Sequence, residues 1–151
     1  MILHIDYNTP QSKGDLVYYS DEFSLDTRNR KDCGFTSILV NDVQLEINED
    51  GIACAVWGMC PHTVWKEDSI LLPIYKPGAL LLDDELCPGV SLRINSPESR
   101  WAIKHDSKTG WIVLSSGYEI TSIEAVEFLP NCIAALHERR LVCLWLKPEM
   151  L

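Results

Sequence analysis

Long hydrophobic runs are missing from this sequence. Apolar stretches such as Ala79–Leu82 and Leu141–Leu146 fall far short of the ~20 residues that carry a helix across hydrocarbon, which excludes a helical membrane span. The first residues, Met1–Tyr7, include Asp6 and have neither a basic lead nor an apolar stretch ending at a small-residue cleavage site. No secretory signal is expected, and the expected compartment is the cytosol. Basic residues are also few: 13 Lys and Arg stand against 22 Asp and Glu, a formal charge of −9, and the only basic cluster is Arg28, Arg30 and Lys31. A phosphate backbone requires a basic stripe, so neither DNA nor RNA is an expected partner. Neither Gly-x-Gly-x-x-Gly nor Gly-x-x-x-x-Gly-Lys occurs, which leaves nucleotide phosphates without a cradle, and no cofactor is expected.

What is present is ordinary globular material. Apolar residues make up 46% of the chain and charged residues 23%, far from the low-hydrophobicity, high-charge composition that keeps a chain disordered. With 151 residues, no internal repeat and no linker-like tract, residues 1–151 are expected to form a single domain. Six cysteines are present, but a disulfide framework presupposes an oxidising compartment. Cys54, Cys87, Cys132 and Cys143 lie in or beside apolar runs and read as small buried hydrophobes.

Short segments rich in Val, Ile, Tyr and Trp, cut by Asn, Asp, Gly and Pro, follow the pattern of strands. The sequence predicts strands at Ile2–Tyr7, Leu16–Ser20, Phe35–Val40, Val43–Ile47, Ile52–Trp57, Thr63–Trp65, Ile70–Tyr75, Ala79–Leu82, Val90–Ile94, Trp101–His105, Trp111–Ser115, Cys132–His137 and Leu141–Leu146. Asn41-Asp42 has the form of a two-residue hairpin loop, although without glycine. Ser107–Gly110 and Glu138–Arg140 serve as further hairpin turns, and Leu141–Leu146, apolar on both faces, is expected at the centre of its sheet. Thr121–Leu129 suits either a strand or a short helix, since Thr121 and Glu124 have capping-box spacing and Pro130 would end a helix. The predicted class is mainly β, an antiparallel β-sandwich or rolled barrel; an α+β fold with a helix at 121–129 is the alternative.

Chemical motifs are sparse. Cys54, Cys60, His62 and Cys87 lack the tight Cys-x(2–4)-Cys knuckles of structural zinc, and no metal site is expected. Ser115-Ser116-Gly117 lacks the leading glycine of a nucleophile elbow. Cys33, after a charged loop, could be an exposed thiol, and a Cys/His pairing involving Cys33 or Cys60 stays open. Lys108-Thr109-Gly110 matches a fragment of penicillin-recognising enzymes, but no Ser-x-x-Lys accompanies it. Residues 105–110 therefore read as a polar hairpin turn.

Charge distribution is the positive signal. Residues 1–90 hold 15 acids against 6 bases, whereas residues 91–151 hold 7 of each. The acids cluster at turns: Asp21-Glu22, Glu49-Asp50, Glu67-Asp68 and Asp83-Asp84-Glu85. On one face they would steer a basic protein, with nearby Trp65 and Tyr75 as anchors; Trp57, also nearby, fits a core position better. The expected partner-binding residues are thus Asp83, Asp84, Glu85, Glu67, Asp68, Glu49, Asp50, Trp65 and Tyr75. Small, acidic, strand-rich and without recognisable catalytic motifs, the chain resembles in general character the immunity proteins that protect bacteria from contact-dependent or other polymorphic toxins. That resemblance implies a tight complex with a basic, nuclease-type toxin domain. The alternatives are an adaptor or structural subunit of a larger assembly, and a small β-barrel enzyme using a carboxylate or Cys/His site.

Overall fold

The computed structural model describes residues 1–31, 34–117 and 122–151. In chain order its strands are β1 (Leu3–Asp6), β2 (Asp15–Tyr19), β3 (Ser24–Arg28), β4 (Thr36–Val40), β5 (Val43–Ile47), β6 (Ala53–Met59), β7 (Lys66–Glu67), β8 (Lys76–Pro77), β9 (Ala79–Leu82), β10 (Ser91–Arg93), β11 (Ala102–His105), β12 (Ile112–Ser115), β13 (Glu124–Leu129), β14 (Cys132–His137), β15 (Arg140–Leu146) and β16 (Glu149–Met150). Among the described residues they form one sheet in the order β10-β4-β5-β6-β3-β2-β16, a second in the order β7-β11-β12-β15-β14-β13-β8, and a ribbon of β1 with β9. The two sheets pack face to face as a sandwich, and neither closes into a barrel.

The period-2 burial of each strand explains the packing. From the first sheet Tyr18, Leu25, Leu45 and Val56 point inward, and from the second Ile112, Leu114, Phe128 and Leu144 meet them in one core. Leu3, Leu80 and Leu82 of the ribbon join the same core. As its sequence predicts, β15 is central, lying between β12 and β14. Its outward residues Cys143 and Trp145 belong to a second apolar cluster on the outer face, with Trp111, Val113 and Ile133.

Several expectations are corrected. The antiparallel arrangement holds at the sheet centres, but all four edge strands, β7, β8, β10 and β16, pair in parallel with their neighbours. Each edge strand arrives by a crossover and not from a hairpin, so its direction is free of the antiparallel constraint. Thr63–Trp65 is not a strand; His62–Val64 forms one 3-10 turn. Ile70–Tyr75 joins no ladder. Ser24–Arg28 is a strand that the hydrophobic pattern missed, because only Leu25 and Thr27 turn inward. The residues following Thr121, which itself lies outside the described residues, resolve as a strand over Glu124–Leu129, so the helix is not formed.

Cysteine roles also differ. Cys132 and Cys143 are buried as expected, but Cys87 is exposed. Cys54 is disulfide-bonded, and it is the extra residue of a bulge where Glu46 faces Ala55 and Ile47 faces Ala53. A bulge re-aims its unpaired side chain off the regular alternation. Cys33 lies outside the described residues.

The Asn41-Asp42 hairpin forms without glycine because Asn41 itself takes the left-handed conformation, at φ 54°. Short polar side chains tolerate that region best. Its side chain is also the knot between this hairpin and a distant loop. Asn41 Nδ2 donates to the Trp101 carbonyl at 3.0 Å, while Oδ1 accepts from Trp101 N–H at 2.9 Å and from Asn95 Nδ2 at 2.8 Å. Asn41 and Asn95 are both buried, Asn41 to 2% exposure. Asn41→Gly is expected to lose about 2–3 kcal/mol of stability through unpaired buried groups, and Asn41→Ala about 1 kcal/mol more, because alanine resists the left-handed region. Urea unfolding of the two variants checks this, and equal losses would show that the backbone conformation carries no cost.

Candidate functional site

Two of the four acidic turns meet at one end of the sandwich. The β5–β6 turn is built by Asn48, whose Oδ1 accepts from the N–H of Asp50 at 2.9 Å and of Ile52 at 3.0 Å. Gly51 completes it at φ 83°, and a Cβ there would come within 3.0 Å of the Leu82 carbonyl oxygen. Leu82 N–H in turn donates to the Gly51 carbonyl at 2.8 Å. This close approach lays the loop after β9 against the turn, so that Glu49 and Asp50 stand beside Asp83-Asp84-Glu85.

Within that end the acids have different roles. Asp83 bonds His4 Nδ1 at 2.7 Å and pairs with the Arg139 guanidinium, and its N–H donates to the Ile2 carbonyl. It clasps β1 to the β14–β15 turn. Asp84 Oδ1 accepts weakly from Ile2 N–H at 3.4 Å and is half-buried. Glu49, Asp50 and Glu85 are exposed.

Glu67 and Asp68 lie elsewhere. Glu67 stands opposite His105, which is aligned through Ile112 and Leu146 with Cys132. That row is at the far end of the second sheet from the His137–Arg140 turn that Asp83 clasps. Both acids are engaged: Glu67 Oε2 accepts Ser107 N–H at 3.0 Å, and Asp68 pairs with Lys104 at 3.0 Å. The Ser107 N–H holds the Glu67 carboxyl below its ordinary range, and Lys104 does the same for Asp68. Tyr75 sits at the opposite edge, leading into β8. The predicted residues therefore do not form one face.

Trp65 belongs to an aromatic seam where the edges of the two sheets meet. Its ring centroid is 5.0 Å from those of Tyr18 and His105, and 6.1 Å from that of His62. The fully buried Tyr18 hydroxyl donates to the Cys60 carbonyl at 2.8 Å, accepts His62 N–H at 2.9 Å, and lies 3.2 Å from His62 Nδ1. Ser20, His62, Trp65, Glu67, His105 and Met150 line an open cleft of about 300 Å³ here. Burial pushes the adjacent Cys60 thiol up to about 11, so it stays protonated at neutral pH and is no nucleophile. Among the described residues no three His, Cys, Asp or Glu side chains are placed to hold a metal ion. Trp57, expected in the core, is half-buried on the outside of the first sheet, beside the Arg30–Glu46 ion pair.

A third surface comes from the segment between β7 and β8. Since those strands are opposite edges of the second sheet, residues 68–75 must cross it, and Ile70 packs on its outer cluster. Asp106 pins this strap: Oδ2 accepts Ile70 N–H at 3.2 Å, while Oδ1 accepts Lys108 N–H at 3.0 Å within the β11–β12 turn. Leu71 and Ile74 are left 89% and 97% exposed. Sequence reading missed this surface because an apolar, proline-interrupted run without charge looks like a strand. It missed His62 and His105 because nothing in linear spacing joins residues 62, 65 and 105.

No protein-family model matches the chain, and no curated protein resembles it in sequence.

The Ile70 and Lys108 N–H groups hold the Asp106 carboxyl below its ordinary value. A depressed folded-state value stabilises the folded form above the unfolded value, about 3.9, and the benefit is lost as pH falls through the folded value. The strap is therefore expected to loosen below about pH 4 and, in Asp106→Ala, to be loose at neutral pH. Hydrogen exchange at the Ile70 amide reads this as an acceleration of roughly tenfold; unchanged exchange in Asp106→Ala would show that the strap is held by packing alone.

Proposed function

We propose that the protein is an inhibitory binding protein of the immunity type, which engages a basic, nuclease-type toxin domain through the acidic end formed by Glu49, Asp50, Asp84 and Glu85. The observation that carries this reading is the seating of the loop after β9 on the β5–β6 turn through Gly51 and Leu82. It concentrates carboxylates from distant parts of the chain at one end of the sandwich. Such a field steers a basic partner and raises its association rate, an effect that falls with ionic strength. Glu67, Asp68, Trp65 and Tyr75 are not assigned to this contact, and Asp83 supports it from behind as a clasp.

The strap favours a second reading, an adaptor subunit of a larger assembly. Leu71 and Ile74 offer large apolar side chains of the kind that a stable interface covers. The reading as a small enzyme finds less support among the described residues, where burial holds the Cys60 thiol beside the seam protonated.

The two leading readings separate by salt. A pull-down at low and high salt with mass spectrometry identifies the partner. For an immunity-type complex, changing Glu49, Asp50, Asp84 and Glu85 together to Ser is expected to slow association roughly tenfold at low salt and to change little at high salt. An unchanged association rate at low salt would remove the acidic end from the interface. A complex that survives high salt and is lost on Leu71→Ser with Ile74→Ser would establish the adaptor reading instead.

A further inference from the structure

We infer that the aromatic seam is a binding cleft for an organic cation, an alkylammonium or guanidinium group, held by Trp65, His62, His105 and the carboxylate of Glu67. The inference does not rest on the proposed inhibitory function, because the seam and the acidic end lie at opposite ends of the second sheet.

The lining contains aromatic walls and a single charge. Among the described residues, Ser20, His62, Trp65, His105 and Met150 contribute rings, a hydroxyl and a thioether, Glu67 is the one acid, and no Lys or Arg lines the cleft. Aromatic faces attract cations through their quadrupole, and more strongly where the site is partly desolvated. Phe23 extends the aromatic wall, its ring 5.2 Å from that of His62.

The walls are fixed by contacts that leave the cleft open. Tyr18, buried and doubly hydrogen-bonded, sets the position of His62 through both its N–H and its Nδ1. Trp65 is wedged between Tyr18 and His105, 5.0 Å from each ring. Glu67 is anchored through Oε2 on the Ser107 N–H at 3.0 Å, and its Oε1 stands 4.0 Å from His105 Nδ1 at the cleft. A carboxylate anchored by one oxygen presents the other in a set direction, which suits a cation resting on the rings beside it. Asp21 and Glu22 follow Ser20 in the same short turn and add negative potential at the rim.

The same chemistry could come from a small free cation or from a Lys or Arg side chain of a bound protein. The test reads the Trp65 indole N–H resonance, assigned with Trp65→Phe, in titrations of the intact protein. Tetramethylammonium and N-methylguanidinium are compared with their neutral counterparts tert-butanol and N-methylurea. Saturable shifts with the cations are expected at millimolar concentration, with little response to the neutral molecules. Glu67→Gln, at an exposed side chain, is expected to weaken the cations by about threefold or more. A blocked Gly-Arg-Gly peptide binding roughly tenfold tighter than N-methylguanidinium would assign the cleft to a protein side chain, and equal binding would assign it to a free cation. The inference is overturned by no saturable shift at Trp65 with either cation, by equal binding of the neutral molecules, or by unchanged binding in Glu67→Gln.

Discussion

Everything in the second sheet follows from β15 being apolar on both faces. Leu144 and Leu146 require a sheet beneath them, and Trp145 and Cys143 require something above. The first requirement is met by the opposing sheet and its inward row from Tyr18 to Val56. The second is met by neighbouring side chains of the same face, Trp111, Val113 and Ile133, and by a strap that crosses the sheet without adding a strand to it. A crossing segment of this kind can turn only part of its side chains downward. Ile70 covers the sheet, and Leu71 and Ile74 are left outward as the geometric remainder. The exposed apolar surface is thus the other side of a core contact.

The edges are managed by a different device. An unpaired strand edge invites pairing with another chain, and short edge strands or proline limit it. Here the four outermost strands of the two large sheets are each two or three residues long, and β8 ends in Pro77. Because these strands belong to crossovers, each edge also anchors a loop: the strap at β7 and β8, the acidic loop before β10, and the chain end at β16.

Legibility from sequence tracked the hydrophobic signal. Hairpins with strong alternation, such as Val43–Ile47 after Thr36–Val40, and the doubly apolar β15 could be read directly, as could the mainly β class. Ser24–Arg28 could not, since its buried Thr27 is satisfied by hydrogen bonds to Val56 on both its donor and acceptor sides, which no hydrophobic pattern records. Among the edge strands, β7, β8 and β16 are too short to carry a pattern, whereas β10 lies inside the predicted Val90–Ile94. For the sites, turn acids were visible but their spatial grouping was not. Glu49-Asp50 joins Asp83–Glu85 only because Gly51 admits Leu82, and Asp83 is drawn out of the steering group by His4 and Arg139. Trp65 and Glu67 do share a site, but with His62, His105 and Tyr18, brought together by the meeting of two sheet edges.

The pairing of β1 with β9, Leu3 opposite Leu82, has a consequence in time. Closing a contact across so many residues is entropically costly and slow compared with forming a local hairpin. During synthesis, at roughly 5–20 residues per second, the first strand must wait for a partner that has not yet been made. The hairpin β4–β5 can form in that interval, while the N-terminal segment, with Leu3 and Ile5, stays unpaired and open to whatever else binds an apolar strand.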